Sequence, residues 1–138
     1  VHAAERAPID CLADNVYYEA AHEPRAGKVA VAQVTMNRAQ DYDGDVCAAV
    51  YEKAINARTG KKEAAFSWTL GARWRPHGMD RRAYAECLEI SQAMLAGELQ
   101  SPIGPDVKFY HATYVHPPWR GMIRVAQIGK HIFYRRPR

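Results

Sequence analysis

A chain of 138 residues, 48% hydrophobic and 25% charged, has the make-up of a folded globular protein and is long enough to bury a core. Its net charge of +4 favours encounter with polyanions such as nucleic acid, membrane or an anionic wall, without choosing among them. No apolar run approaches the roughly 20 residues that cross a bilayer, and no helix-turn-helix, RNA-binding or zinc-finger pattern points to nucleic acid. Three cysteines, Cys11, Cys47 and Cys87, allow at most one internal disulfide. That count fits a reduced cytosolic chain or an exported one with a spare buried thiol. The sequence starts at Val1, as at a processed or engineered end, and reads as one domain over 1–138.

Asp10 is placed to cap a first helix over about 10–21, with Leu12, Val16 and Ala20 along one stripe. Pro24 at a first helical position opens a second helix to about Ala39, apolar on more than one side and so expected near the centre. Gly27 and the alanines of this helix would let a neighbouring backbone approach. "DYDGD" at 41–45 is a turn, and "VCAAVYEKA" a short helix after it. Residues 56–79 lack periodicity, which in a compact domain often marks function. Asp80 then caps an amphipathic helix to Ala96, with Tyr84, Cys87, Leu88, Ser91 and Leu95 expected on its inner face and Gly97 ending it. "VKFYHATYV", "IRVAQIG" and "HIFY" follow as short strands. The fold class is α+β, helices first and a small antiparallel sheet in the C-terminal third.

Glu19 stands in "VYYEAA", poor company for a surface carboxylate. A carboxylic acid can protonate a glycosidic oxygen only if it is un-ionised near neutral pH, and apolar burial shifts it that way. The hexapeptide leaves a structural ion pair or a helix-capping role open beside the catalytic one. Glu23, immediately before Pro24, suits capping of the second helix, and is also the candidate second carboxylate of a two-acid glycosidase. Trp68, Trp74 and Trp119 lie beside polar residues in loops and suit sugar faces, whereas Phe66, Phe109 and Phe133 suit a core. His111 and His116, five apart on a strand and turn, are expected on opposite faces. With no HExxH or CxxC pair, a zinc site of His77, His111, His116 and His131 is the lesser reading, and no metal or other cofactor is expected. No GxSxG or comparable cysteine motif supports nucleophilic catalysis.

The blocks "CLADNVYYEAAHEPRAGKVAVAQVTMNR" (11–38), "VC" (46–47), "AFSW" (65–68), "KFYHA" (108–112), "PPW" (117–119) and "IGKHIFY" (128–134) resemble, in order, the cell wall hydrolase family of SleB and CwlJ type. The first and last blocks are the specific ones. The resemblance implies a lysozyme-like fold and cleavage of peptidoglycan glycan strands, by lytic transglycosylation in SleB members. It places the family's catalytic acid on Glu19 and brings Ser67, Trp68, Tyr110, His111 and Trp119 to the substrate groove. Asn37 is a further candidate there, with a structural role equally open. The resemblance also implies a Cys11–Cys47 disulfide, since both lie in blocks matching exported members. The sequence departs from the family's "EARGE", reading "EAAHE" with Ala21 and His22 in place of Arg-Gly.

One strong acid without a convincing second carboxylate implies cleavage by Glu19 alone, forming a 1,6-anhydro-muramic end. A hydrolysing muramidase using Glu23 or Asp80, and a non-catalytic peptidoglycan-binding module, are the rival readings. The expected partner is peptidoglycan, met by a monomer in the cell envelope, with a phage-encoded lysin open beside a bacterial remodelling enzyme.

Overall fold

The computed structural model describes residues 6–55, 61–71 and 80–138. Helix α1 (Pro8–Ala20) leads into α2 (Arg25–Ala39), a 3-10 turn at Gln40–Tyr42 and α3 (Val46–Val50). A short ribbon of β1 (Lys53–Ile55) and β2 (Lys62–Ala64) and a 3-10 turn at Ser67–Gly71 precede α4 (Arg81–Leu95). Strands β3 (Val107–Ala112), β4 (Ile123–Ile128) and β5 (His131–Arg135) then form an antiparallel sheet in the order β3-β5-β4. This is the α+β order expected from the sequence, with the β1–β2 ribbon added.

Helix α2 is the hub, touching the other three helices and β3. Its residues Ala30, Val31, Ala32, Val34, Thr35 and Ala39 are almost fully buried, as an all-round apolar helix requires. Leu12, Val16 and Ala20 of α1 are buried as expected. Helix α1 begins earlier than Asp10, because Pro8 stands at its first turn with Ala7 as the cap residue. Proline's fixed φ suits that position, where its missing N–H is not needed. By contrast Pro24 is extended (φ −59°, ψ 160°) and precedes the helix proper, which starts at Arg25.

Two polar links cross this apolar packing. Asn15 is fully buried and donates from Nδ2 to Thr35 Oγ1 at 3.0 Å, while Trp68 Nε1 donates to its Oδ1 at 2.7 Å. Asp14, also fully buried, meets Arg6 at 2.7 Å and accepts from the Tyr84 hydroxyl at 2.6 Å. Buried polar groups persist only when partnered in this way.

Helix α3 stops at Val50 rather than running through "YEKA". Backbone pairing takes over that segment: Ala65 N–H donates to Glu52 O at 3.0 Å, and Lys53 faces Ala64 in the ribbon. The expected irregular stretch 56–79 therefore contains a strand and a 3-10 turn within 61–71. Asp80 caps α4 as expected, accepting from Ala83 N–H at 3.0 Å, and Gly97 (φ 74°) follows its end. The buried stripe of α4 is Cys87, Ile90, Ser91 and Met94. Leu95 is 36% exposed, because the stripe is centred one column from the expected one.

Both outer strands carry one extra residue against β5. The register slips between Val107 and Phe109 on β3 and between Arg124 and Ala126 on β4. Each slip is a bulge that shifts the alternation of side chains by one. Val107, Tyr110 and Phe133 consequently share the inner face toward α2, whereas Phe109, His111 and Tyr134 stand on the outer one. Phe66 and Phe133 are buried as expected. Phe109 is not core: it is half-buried between the guanidinium groups of Arg38 and Arg136, at 5.9 and 4.9 Å.

Cys11 and Cys47 are joined in a disulfide between α1 and α3, 36 residues apart in sequence. Cys87 is a free, buried thiol, and burial pushes its pKa up to about 11. Thiol titration of the denatured, unreduced protein should therefore find one reactive cysteine. Reduction should lower stability by about 4 kcal/mol on loop-entropy grounds, read as a fall in denaturation midpoint.

Candidate active site

The last turn of α1 and the link to α2 form one wall of a cleft of about 320 Å³. Tyr18, Glu19, His22 and Glu23 come from that wall, and Tyr114, Lys130 and His131 from the sheet and its loops. Glu19 is half-buried, and desolvation raises its pKa above the ordinary glutamate value. The Tyr110 hydroxyl donates to Glu19 Oε1, which opposes the rise without cancelling it. Burial and the adjoining carboxyl hold the Tyr110 phenol itself well above its ordinary range, so it stays a donor. The Tyr110 ring is braced by Phe133 and His131, at 5.5 and 5.1 Å between centroids. A protonated Glu19 in this setting accepts from Tyr110 on one oxygen and can donate from the other.

Glu23 does not cap α2. Its Oε1 accepts from the backbone N–H of Lys130 at 2.7 Å and lies 3.8 Å from His131 Nδ1. The carboxylate thus clasps the β4–β5 turn to the α1–α2 junction. The turn is built for that approach: a Cβ on Gly129 (φ 57°) would lie 2.3 Å from Glu23 Oε1. The Gly27 gap expected to admit a backbone instead admits the Glu23 side chain, whose Cβ would be 3.2 Å from a Cβ there. Burial lowers the pKa of His131 and so favours its neutral form, although Glu23 pulls the other way and His111 adds to the lowering.

The remaining sequence candidates divide. Tyr110 meets Glu19 as above. Ser67 is exposed at the start of its 3-10 turn, and Trp68 packs inward, stacked on Tyr18 at 4.8 Å with its indole N–H given to Asn15. Asn37 is a structural residue, not a groove residue. It is 4% exposed, donates to Gly104 O and Val107 O at 3.0 and 2.8 Å, and accepts from Gln33 at 2.7 Å. Asp80 is occupied as the cap of α4. His111 and Trp119 line a different concavity, of about 310 Å³, on the outer face of the sheet. There the Trp119 ring meets His111 and Tyr134 at 5.5 Å each, and His111 Nε2 lies 2.9 Å from the Tyr134 hydroxyl.

His116 lines that same concavity rather than facing away from His111, because β3 ends at Ala112 and strand alternation ends with it. Trp74 and His77 lie outside the described residues. Among the described residues no group of three or more His, Cys, Asp or Glu is placed to hold a metal ion. Tyr114 and Lys130 were not singled out by sequence reasoning. The readable signal for Lys130 was "IGKH", a glycine turn between two strands that puts the lysine at the tip.

The sequence model of the cell wall hydrolase family matches residues 22–134 of this chain. Glu19 lies just ahead of the matched stretch. No curated protein sequence matches the chain. Among solved structures, the catalytic domain of the germination-specific lytic transglycosylase SleB from Bacillus anthracis is similar in fold, with a TM-score of 0.66 and 24% identity over 93% of each chain. A likeness at that identity fixes the fold and leaves the chemistry to be argued from the residues.

The Glu23 clasp has a direct test in stability. Glu23→Ala strands the Lys130 N–H and should cost about 1–3 kcal/mol, whereas Glu23→Gln retains an acceptor oxygen and should cost less. Chemical denaturation of the two variants separates these outcomes.

Proposed function

We propose a specific chemistry for this chain, which belongs to the cell wall hydrolase family: cleavage of peptidoglycan between N-acetylmuramic acid and N-acetylglucosamine by lytic transglycosylation, with Glu19 as both acid and base. Protonated Glu19 donates to the glycosidic oxygen as the bond to the muramic anomeric carbon breaks. The C6 hydroxyl of the same muramic residue attacks that carbon, and ionised Glu19 takes the hydroxyl proton. A 1,6-anhydro sugar forms, the other strand leaves with a 4-hydroxyl, and no water is consumed. Tyr110 steadies the carboxylate formed midway, since its donated hydrogen bond strengthens when Glu19 is charged.

The observation that carries this reading is an asymmetry between the two acids of the cleft. Glu19 is desolvated with its pKa raised, while the Glu23 carboxylate is tied to Lys130 N–H. A hydrolysing muramidase needs a second carboxylate free to act as nucleophile or to activate water, and Asp80 is likewise engaged as a cap. We place the activity in the cell envelope, with the enzyme acting as a single catalytic domain and as a monomer.

Glu19→Gln should lower wall cleavage by about 10²-fold or more with the fold intact. Mass spectrometry of a wild-type digest should find anhydro-muramic ends; reducing ends would assign hydrolysis, and no cleavage a binding module. Stability gives an independent check. The folded-state pKa of Glu19 lies above its unfolded value, so its contribution is fully present below the unfolded pKa and is lost as pH rises through the folded one. Glu19→Gln should accordingly raise the Tm at neutral pH and lose that advantage in acid. Tyr110→Phe removes the hydrogen bond that lowers the Glu19 pKa, so the alkaline limb of the pH–rate profile should move to higher pH as kcat falls.

A further inference from the structure

The proposed chemistry uses Glu19 and Tyr110, and the fold uses Glu23. Two basic groups of the same cleft, His22 and Lys130, are left over. Both are exposed, one from each wall. The backbone N–H of Lys130 holds Glu23, but its ammonium has no protein partner among the described residues. Nor is that charge engaged with Glu19, on which only burial and Tyr110 act. Two other cations near the α1–α2 junction, Arg25 and Lys28, are neutralised. Arg25 pairs with Glu89 and Glu86 at 2.7 and 3.5 Å, and Lys28 with Glu86 at 3.0 Å while donating to Glu23 O at 2.6 Å. The cleft therefore presents a lysine ammonium that no ion pair engages among the described residues.

We propose that Lys130, assisted by His22, binds a carboxylate carried by the muramic residue of the strand being cleaved. The inference rests on the reading of the cleft as a glycan site. Two sources of that carboxylate exist chemically. On a peptide-free strand the 3-O-lactyl group ends in a free carboxylate, close to the anomeric carbon that Glu19 addresses. On a peptide-bearing strand that group is a neutral amide, and the carboxylates lie further out along the stem peptide. A lysine ammonium engages either as a point charge. The short reach from the anomeric carbon to the lactyl group favours the first, which makes the enzyme selective for strands already stripped of peptide.

The test uses Glu19→Gln, so that strands bind without being cut, and compares three fragments of equal length by calorimetry. One has free lactyl carboxylates, one has them converted to methylamides, and one carries stem peptides. The free-lactyl strand should bind about 10-fold tighter than its methylamide, and adding Lys130→Met should bring that ratio close to one. His22→Gln should reduce it less. Peptide-bearing strands as tight as the free-lactyl ones, with the same loss on Lys130→Met, would assign the carboxylate to the peptide and still support the site. Equal binding of all three, or a ratio unmoved by Lys130→Met, overturns the proposal. Wild-type digestion of the same fragments reports separately on the cleavage chemistry, so anhydro products with unselective binding would sink this inference alone.

Discussion

A carboxyl group held away from water at the end of a helix is the constraint around which this molecule is arranged. Glu19 sits in the last turn of α1, where desolvation disfavours its ionised form. Left alone, such a group would swell the local structure or draw in water. Tyr110 sets the limit by donating one hydrogen bond from the opposite layer. The two residues lie 91 positions apart, so their meeting depends on everything that fixes α1 against β3. Asn15 pins α1 to α2 through Thr35, and Asn37 pins α2 to the start of β3 through Gly104 and Val107. Helix α2 is thus a spacer between the Glu19 carboxyl and the Tyr110 phenol that meets it.

Much of this was legible in the sequence, and the failures that bear on the cleft share one cause. Helices declared themselves through periodicity, and α4 also through Asp80 and Gly97 at its ends. Glu19 stood out because its neighbours are aromatic and small. What could not be read was which polar groups would be consumed by the protein. Asn37, Trp68 and Glu23 carry the residue types of a sugar-binding groove, yet each hydrogen-bonds to backbone or side chains far away in sequence. Lys130, conversely, did not stand out in the sequence at all. Its interest lies in an ammonium without an ion-pair partner among the described residues, which only the assembled fold displays.

The sheet separates two surfaces that the sequence had merged. Tyr110 and His111 are adjacent in the chain, but one supports Glu19 and the other joins Trp119 and Tyr134 on the far side. A glycan strand lying in the Glu19 cleft would have to pass the end of β3, by the 78%-exposed Tyr114, to reach Trp119. The aromatic cluster on the outer face is accordingly no part of the proposed cleavage step.

The bulges flanking β5 carry a consequence for how this protein can change over evolutionary time. Most strands tolerate drift in side chains better than drift in length, but a bulge relaxes that rule at one position. Losing the single codon at Lys108 would restore unbroken alternation along β3 with Val107 and Tyr110 still inside and Phe109 and His111 still outside. The phenol that supports Glu19 and the valine that seals the core would both keep their face. Lineages of this fold can therefore lose one residue at this point of β3 and still present the phenol to Glu19, so the length of the strand is a looser record of descent here than the side chains on its two faces.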